Sequence, residues 1–140
     1  MVKNIQLAER PRPIFSDVDH EKLTKIAESA LRRDPFVAEA LLVELDRSYV
    51  VEADELPPNV VRMGSVVDFT VDGQPRRATI VYPREADFEN GKLSILTPIA
   101  AAIVGFSDDQ TIECKTRDGK TQIVTISAVD NTPAMTMAAA

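Results

Sequence analysis

The chain lacks tryptophan altogether and has one cysteine and one histidine among its 140 residues. The solitary Cys114 excludes an internal disulfide, and its place in an alternating apolar segment marks it as a small core residue in a reducing compartment rather than a reactive thiol. A single histidine rules out a histidine metal cluster, and His20 falls in the polar first turn of a helix, where exposure is expected rather than catalysis. No P-loop or GxGxxG run occurs, which removes local support for nucleotide binding. Nor is there a run of about eighteen apolar residues, and the opening MVKNIQLAERPRP has no apolar signal-peptide core, so no membrane span and a cytoplasmic location are expected.

What is present suits one domain, without internal repeats or low-complexity core segments. The net charge of −6 is unevenly placed: Asp17 to Glu55 holds eleven carboxylates against five Lys and Arg, while the remainder balances at eleven of each. Such a segment repels a phosphate backbone and is drawn to a basic protein surface or cavity; the alternative reading is a solvated helical face.

Ser16-Asp17 supplies N-cap candidates, and Leu23, Ile26, Ala27, Ala30 and Leu31 recur at helical spacing, predicting a helix over about Asp19 to Arg32. Asp34-Pro35 breaks and restarts the chain. A second helix is predicted from Pro35 to Tyr49, with Val37, Ala40, Leu41, Leu45 and Ser48 on one face. The short connection makes the two antiparallel, and their narrow stripes predict a coiled-coil-like hairpin about 22 Å long rather than a domain core.

After Leu56-Pro57-Pro58 the period changes to two. Strands are predicted at Val66 to Val71 and Arg76 to Tyr82 around Asp72-Gly73, at Leu93 to Thr97, and at Thr111 to Thr116 and Thr121 to Val129 around Arg117-Asp118-Gly119. A short apolar helix, Ile99 to Val104, crosses between them and ends at Gly105, with Thr97 as cap and Pro98 in the first turn. In that helix Ile99, Ala102 and Ile103 are expected on the sheet and Ala100, Ala101 and Val104 on other faces. The predicted class is α+β: a short N-terminal helical hairpin, then an antiparallel sheet covered by one helix. Residues 1–15 are expected to be flexible, 16–55 to form the acidic hairpin, 56–130 the sheet domain and 131–140 a flexible tail.

The segments "LPPNVVRMGSVVDF", "RATIVYP", "GKLSILTPIAAAIVGF" and "DGKTQIVTISAV" resemble, in order and spacing, the C-terminal domain of the bacterial Gre transcript-cleavage factors. The phrase "ELDRSYVV…ELPPNVVRM", Glu44 to Met63, is similar to the Rnk branch of the GreA/GreB family, in which a short hairpin replaces the long Gre coiled coil. The resemblance implies an FKBP-like C-terminal domain that docks on core RNA polymerase near its secondary channel, with the acidic hairpin directed at that channel. It also implies competition with Gre factors for the same entrance.

Gre cleavage places tip carboxylates beside the polymerase's catalytic magnesium, where two cations clamp the attacking and leaving oxygens. Here the tip is "RRDPF", Arg32 to Phe36, with Asp34 as its one carboxylate, on a shorter arm. No cleavage activity is therefore expected, and Asp34 reads as a loop residue or helix cap. An FKBP-like fold also invites a prolyl isomerase, but Phe69, Tyr82, Phe88 and Phe106 are the sheet half's aromatics and read as packing residues. The stretch Leu96 to Phe106 reads as a core connector with a secondary role in the polymerase-contacting surface.

Candidate partner-binding residues are Asp34, Glu39, Glu44 and Asp46 on the hairpin, and Pro98, Ala101, Gly105, Phe106 and Asp108 on the domain. No catalytic residue, cofactor, metal or small-molecule ligand is expected, and a monomer is. Contact with nucleic acid is left open. The alternatives are a cleavage-competent Gre-like elongation factor and a protein-binding regulator of nucleotide metabolism.

Overall fold

The computed structural model of the protein describes residues 11–132. Its elements run β1 (Ile14–Ser16), α1 (Asp17–Ala30), α2 (Pro35–Asp46), β2 (Tyr49–Val51), β3 (Val66–Val71), β4 (Gln74–Val81), β5 (Lys92–Ser94), α3 (Pro98–Ile103), β6 (Thr111–Lys115) and β7 (Thr121–Asp130). The α+β class and the order of two helices before a mostly antiparallel sheet are as the sequence predicts. Among the described residues no helix is long and apolar enough to cross a membrane.

The five-stranded sheet has the order β5-β4-β3-β7-β6, antiparallel except for the β4–β5 pair. Alternation sets its inner face: Val67, Phe69 and Val71 of β3, and Ile112 and Cys114 of β6, are buried between exposed or half-buried neighbours. Asp72 and Gly73 both hold positive φ, at 49° and 84°, which is the two-residue hairpin turn whose twist suits the flanking strands. A register shift opposite Asp68 and Phe69 leaves Ser127 as an extra residue of β7, a bulge in that strand.

Helix α1 starts at Asp17, two residues earlier than predicted, because the Ser16 hydroxyl accepts from the Asp19 N–H at 3.1 Å. Helix α2 stops at Asp46, since Tyr49–Val51 leave the helical path and pair in parallel with Ile14–Ser16. That two-stranded sheet is absent from the sequence reading. It also corrects the flexible segment expected to residue 15: the Ile14 N–H donates to Gly105 O at 2.8 Å, and Phe15 is buried. At the other end Asn131, assigned to the flexible tail, is buried and donates to Pro58 O at 2.7 Å and Val60 O at 2.8 Å. The remaining parts of those two terminal segments, residues 1–10 and 133–140, lie outside the described residues.

The largest departure concerns the hairpin. Leu23, Ala27, Val37, Leu41 and Leu45 do not form a separate helical seam; they share one apolar cluster with Val67, Ile80, Ile103, Phe106, Val124 and Ile126. The two helices lie along the body, with α2 against α3. Helix α3 is consequently covered on both sides, by the sheet and by α2. Ala100, Ala101, Ile103 and Val104 are buried while Ile99 and Ala102 are half-buried, so the face expected to point away from the sheet is the better covered one. This accounts for a seven-residue apolar run where a surface helix would need only a stripe.

Candidate protein-interaction surface

The hairpin tip is occupied from within the chain. Asp34 is the N-cap of α2, its carboxylate accepting from the Val37 N–H at 3.5 Å. Both its oxygens also accept from Arg117 in the β6–β7 turn, each at 2.8 Å, a fork-to-carboxylate pair joining residues 83 apart in sequence. The Arg117 guanidinium stands 5.9 Å from the Phe36 ring centre. The hydrogen bond from Arg117 is the main reason the Asp34 carboxyl lies below its ordinary pKa, with the Val37 N–H adding to it. Among the described residues the one cluster of three metal-ligating side chains is the exposed Glu52, Asp54 and Glu55, away from this tip in sequence.

The other sequence candidates divide by burial. Glu39 and Asp46 are exposed on α2, Pro98 is half-buried at the start of α3, and Asp108 is half-buried and accepts from Asn59 Nδ2 at 2.9 Å. Glu44, Ala101, Gly105 and Phe106 are buried, Glu44 and Ala101 at the base of a groove between α2, α3 and β6. Glu44 pairs at 3.3 Å with Arg47, whose guanidinium also donates to Pro11 O at 2.9 and 3.0 Å. Gly105 holds φ at +87°, and a Cβ there would stand 2.7 Å from the Pro13 Cβ and 3.0 Å from the Phe15 Cζ. Phe106 fills the core, its carbonyl accepting from the Val61 N–H at 2.8 Å. Thr97 occupies the cap position of α3, but its hydroxyl donates back to Ser94 O at 2.7 Å rather than capping the helix.

One surface residue escaped the sequence reading. Phe69 and Phe106 are buried and Tyr82 is half-buried, as packing residues should be, whereas Phe88 is 84% exposed. It stands at the rim of a cavity of about 460 Å³ floored by Phe69, Ala78, Leu93 and Ile99 and edged by Arg76, Arg77 and Lys92. An aromatic left in water beside an apolar hollow is a usual mark of a protein-binding face. Its signal was present in "READFENG", a lone aromatic among carboxylates with no strand or helix period to bury it.

Residues 56–131 match the family described as "Transcription elongation factor, GreA/GreB, C-term". The chain belongs to that family. Residues 14–51, the helical part with β1 and β2, match the family described as "Rnk N-terminus". The "Regulator of nucleoside diphosphate kinase" of Escherichia coli (strain K12) is 37% identical over 98 residues, which are 69% of this chain and 72% of that protein. A "Transcription elongation factor GreA" of Rhodospirillum rubrum is 30% identical over 129 residues, covering 84% of this chain and 82% of its own. The structure of the "Prokaryotic transcription elongation factor GreA/GreB from Nitrosomonas europaea" superimposes with a TM-score of 0.68 at 32% identity, over 84% of this chain and 98% of that one. For this Gre-family chain the fold and the transcription-factor class are therefore shared with its relatives.

Proposed function

We propose that this protein is a noncatalytic transcription regulator that binds core RNA polymerase near the secondary channel and competes there with Gre factors. Membership in the GreA/GreB family supports the partner. The observation that carries the noncatalytic reading is the state of Asp34. A tip carboxylate that helps hold a catalytic cation must offer its oxygens outward, and both oxygens of Asp34 are taken up by Arg117. The acidic outer face of the hairpin, with Glu39 and Asp46 exposed, complements a basic channel entrance. The apolar hollow beside Phe88, running toward Ile99 and Pro98, is the body's contribution to the interface.

The test is retention of the intact protein on immobilised core polymerase, with a Gre factor as competitor, at two salt concentrations. Retention is expected to fall with added Gre factor and with salt, and Phe88→Ser is expected to weaken it without lowering the melting temperature. Added to backtracked complexes, the protein should leave the RNA 3′ end intact; efficient removal of that end would refute the noncatalytic reading. Absence of retention with a folded protein would refute the partner. A second reading, action on an enzyme of nucleotide metabolism, is favoured by the name of the E. coli relative; retention on nucleoside diphosphate kinase but not on polymerase would select it.

A further inference from the structure

The positive charges of the hairpin are not scattered over its acidic surface. Of the five Lys and Arg between Asp17 and Glu55, Lys22, Lys25 and Arg33 line a single groove of about 760 Å³. Lys22, Lys25, Ile26 and Ser29 fall at the spacing of one helix face on α1, and Arg33 follows in the turn beyond it. The opposite wall is the segment after β4: Tyr82, Pro83, Arg84 and Glu85, with Leu96 from the loop before α3.

Four cations thus face one carboxylate inside a concavity of a protein whose net charge is −6. Lys25 also touches Glu21 at 3.2 Å, an exposed pair that water largely screens. Among the described residues Lys22, Arg33 and Arg84 form no ion pair within 4.0 Å. Half-buried Asp19 adds some negative potential near Lys22, its own oxygen accepting from the Met63 N–H at 3.5 Å. A solvated helix face gains little from collecting like charges, since those four repel one another. An anion in the groove would relieve that repulsion.

Size and lining narrow the anion. The volume lies within the range of small-molecule sites, roughly 300–1,000 Å³. Ile26, Pro83 and Leu96 give an apolar wall beside the cations, so the complement is a molecule with several negative charges at one end and a flat, weakly polar group at the other. Tyr82 fits that complement: burial first, then the neighbouring Asp19 and Glu85, push its hydroxyl up to about 12, so the phenol stays neutral and able to donate. We infer that the groove between α1 and the Tyr82–Glu85 segment binds a nucleoside polyphosphate, the phosphates on Lys22, Lys25, Arg33 and Arg84 and the base against the apolar wall. No glycine-rich phosphate loop is involved; the site is made by side chains from two segments that meet only in the fold.

The test is titration of the full chain with N-methylanthraniloyl-GDP, followed by fluorescence. Saturable binding is expected, displaced by unlabelled GDP and by tripolyphosphate but not by guanosine. Arg84→Glu and Lys25→Glu, both at exposed positions, should each weaken binding about tenfold or more, equivalent to about 1.4 kcal/mol, with an unchanged circular-dichroism melting curve. Glu85→Gln, which removes the groove's one lining carboxylate, should tighten it. No saturation by millimolar nucleotide, or binding indifferent to all three substitutions, would overturn the assignment. So would a single-stranded oligouridylate that binds the same residues and displaces the labelled nucleotide at far lower concentration, since the groove would then hold a nucleic-acid backbone.

Discussion

Removing the Asp34–Arg117 pair should cost a definite and separable amount of stability. The side chains are 25% and 54% exposed, which places the interaction in the range of solvent-screened pairs, about 0.2–1 kcal/mol. Two parallel contacts of 2.8 Å move it to the upper end, about 1 kcal/mol. Asp34 also caps α2, and loss of a cap costs a further ~1 kcal/mol. Asp34→Ala should therefore lose about 2 kcal/mol, and Asp34→Asn, which retains a good cap but no charge, about 1 kcal/mol. A double-mutant cycle of Asp34→Asn with Arg117→Gln, read by urea unfolding, should give a coupling of about 1 kcal/mol that shrinks at high salt.

The pH dependence has a fixed sign. Because Arg117 holds the folded-state carboxyl below its ordinary value, the unfolded chain takes up the proton first as pH falls. The stabilisation is complete above the unfolded value near 3.9 and disappears as pH drops through the lower folded value. Asp34→Asn should flatten that part of the profile. A coupling indistinguishable from zero would refute the contribution of the ion pair, and Asp34→Asn costing as much as Asp34→Ala would refute that of the cap.

One further substitution probes how the N-terminal segment is tied to the body. Gly105→Ala places a Cβ 2.7 Å from the Pro13 Cβ at φ +87°, and it should cost about 2–5 kcal/mol by combining left-handed strain with overpacking; a melting temperature within a degree of the parent would refute the account. Gly73→Ala, at φ +84° with nothing within 4 Å, is the control and should cost only about 1–2 kcal/mol. Cys114 is buried and its thiol is pushed up by burial, so at pH 8 Ellman's reagent should modify the native protein far more slowly than the urea-unfolded chain; rapid stoichiometric reaction would contradict the packing of β6 on the core.

The elements with a strong local period were legible. Val66–Val71 and Thr111–Lys115 alternate, Asp72-Gly73 announces its turn, and Ser16 and Pro35 mark helix starts through their own side chains. What escaped depends on distant partners. Strands β1 and β2 are three residues each and pair across an intervening helical hairpin, so neither Ile14–Ser16 nor Tyr49–Val51 carries a signal by itself. The candidate surface suffered for the same reason. Glu44 reads as a solvated helix charge until Arg47 and the Pro11 carbonyl close over it, and Ala101 reads as an outer face until α2 covers it. Phe88 failed in the opposite direction, because an aromatic was assumed to be buried.

The helical hairpin's lodging on the body bears directly on how the protein would engage a channel. An arm can stand clear only if its two helices satisfy their apolar stripes against each other. Here Leu23, Val37, Leu41 and Leu45 share their burial with Ile103 and Phe106 of the body. Exposing those four would forfeit roughly 1.5–3 kcal/mol each, a sum of the same order as the whole stability of an ordinary domain. The Asp34–Arg117 pair is a small addition to that, which fixes where the tip sits more than whether the hairpin stays down. A partner offering a basic entrance would therefore meet a fixed acidic face bearing Glu39 and Asp46. On the proposed reading such a face occupies an entrance and excludes a competitor, while the one carboxylate of its tip, Asp34, is engaged by Arg117.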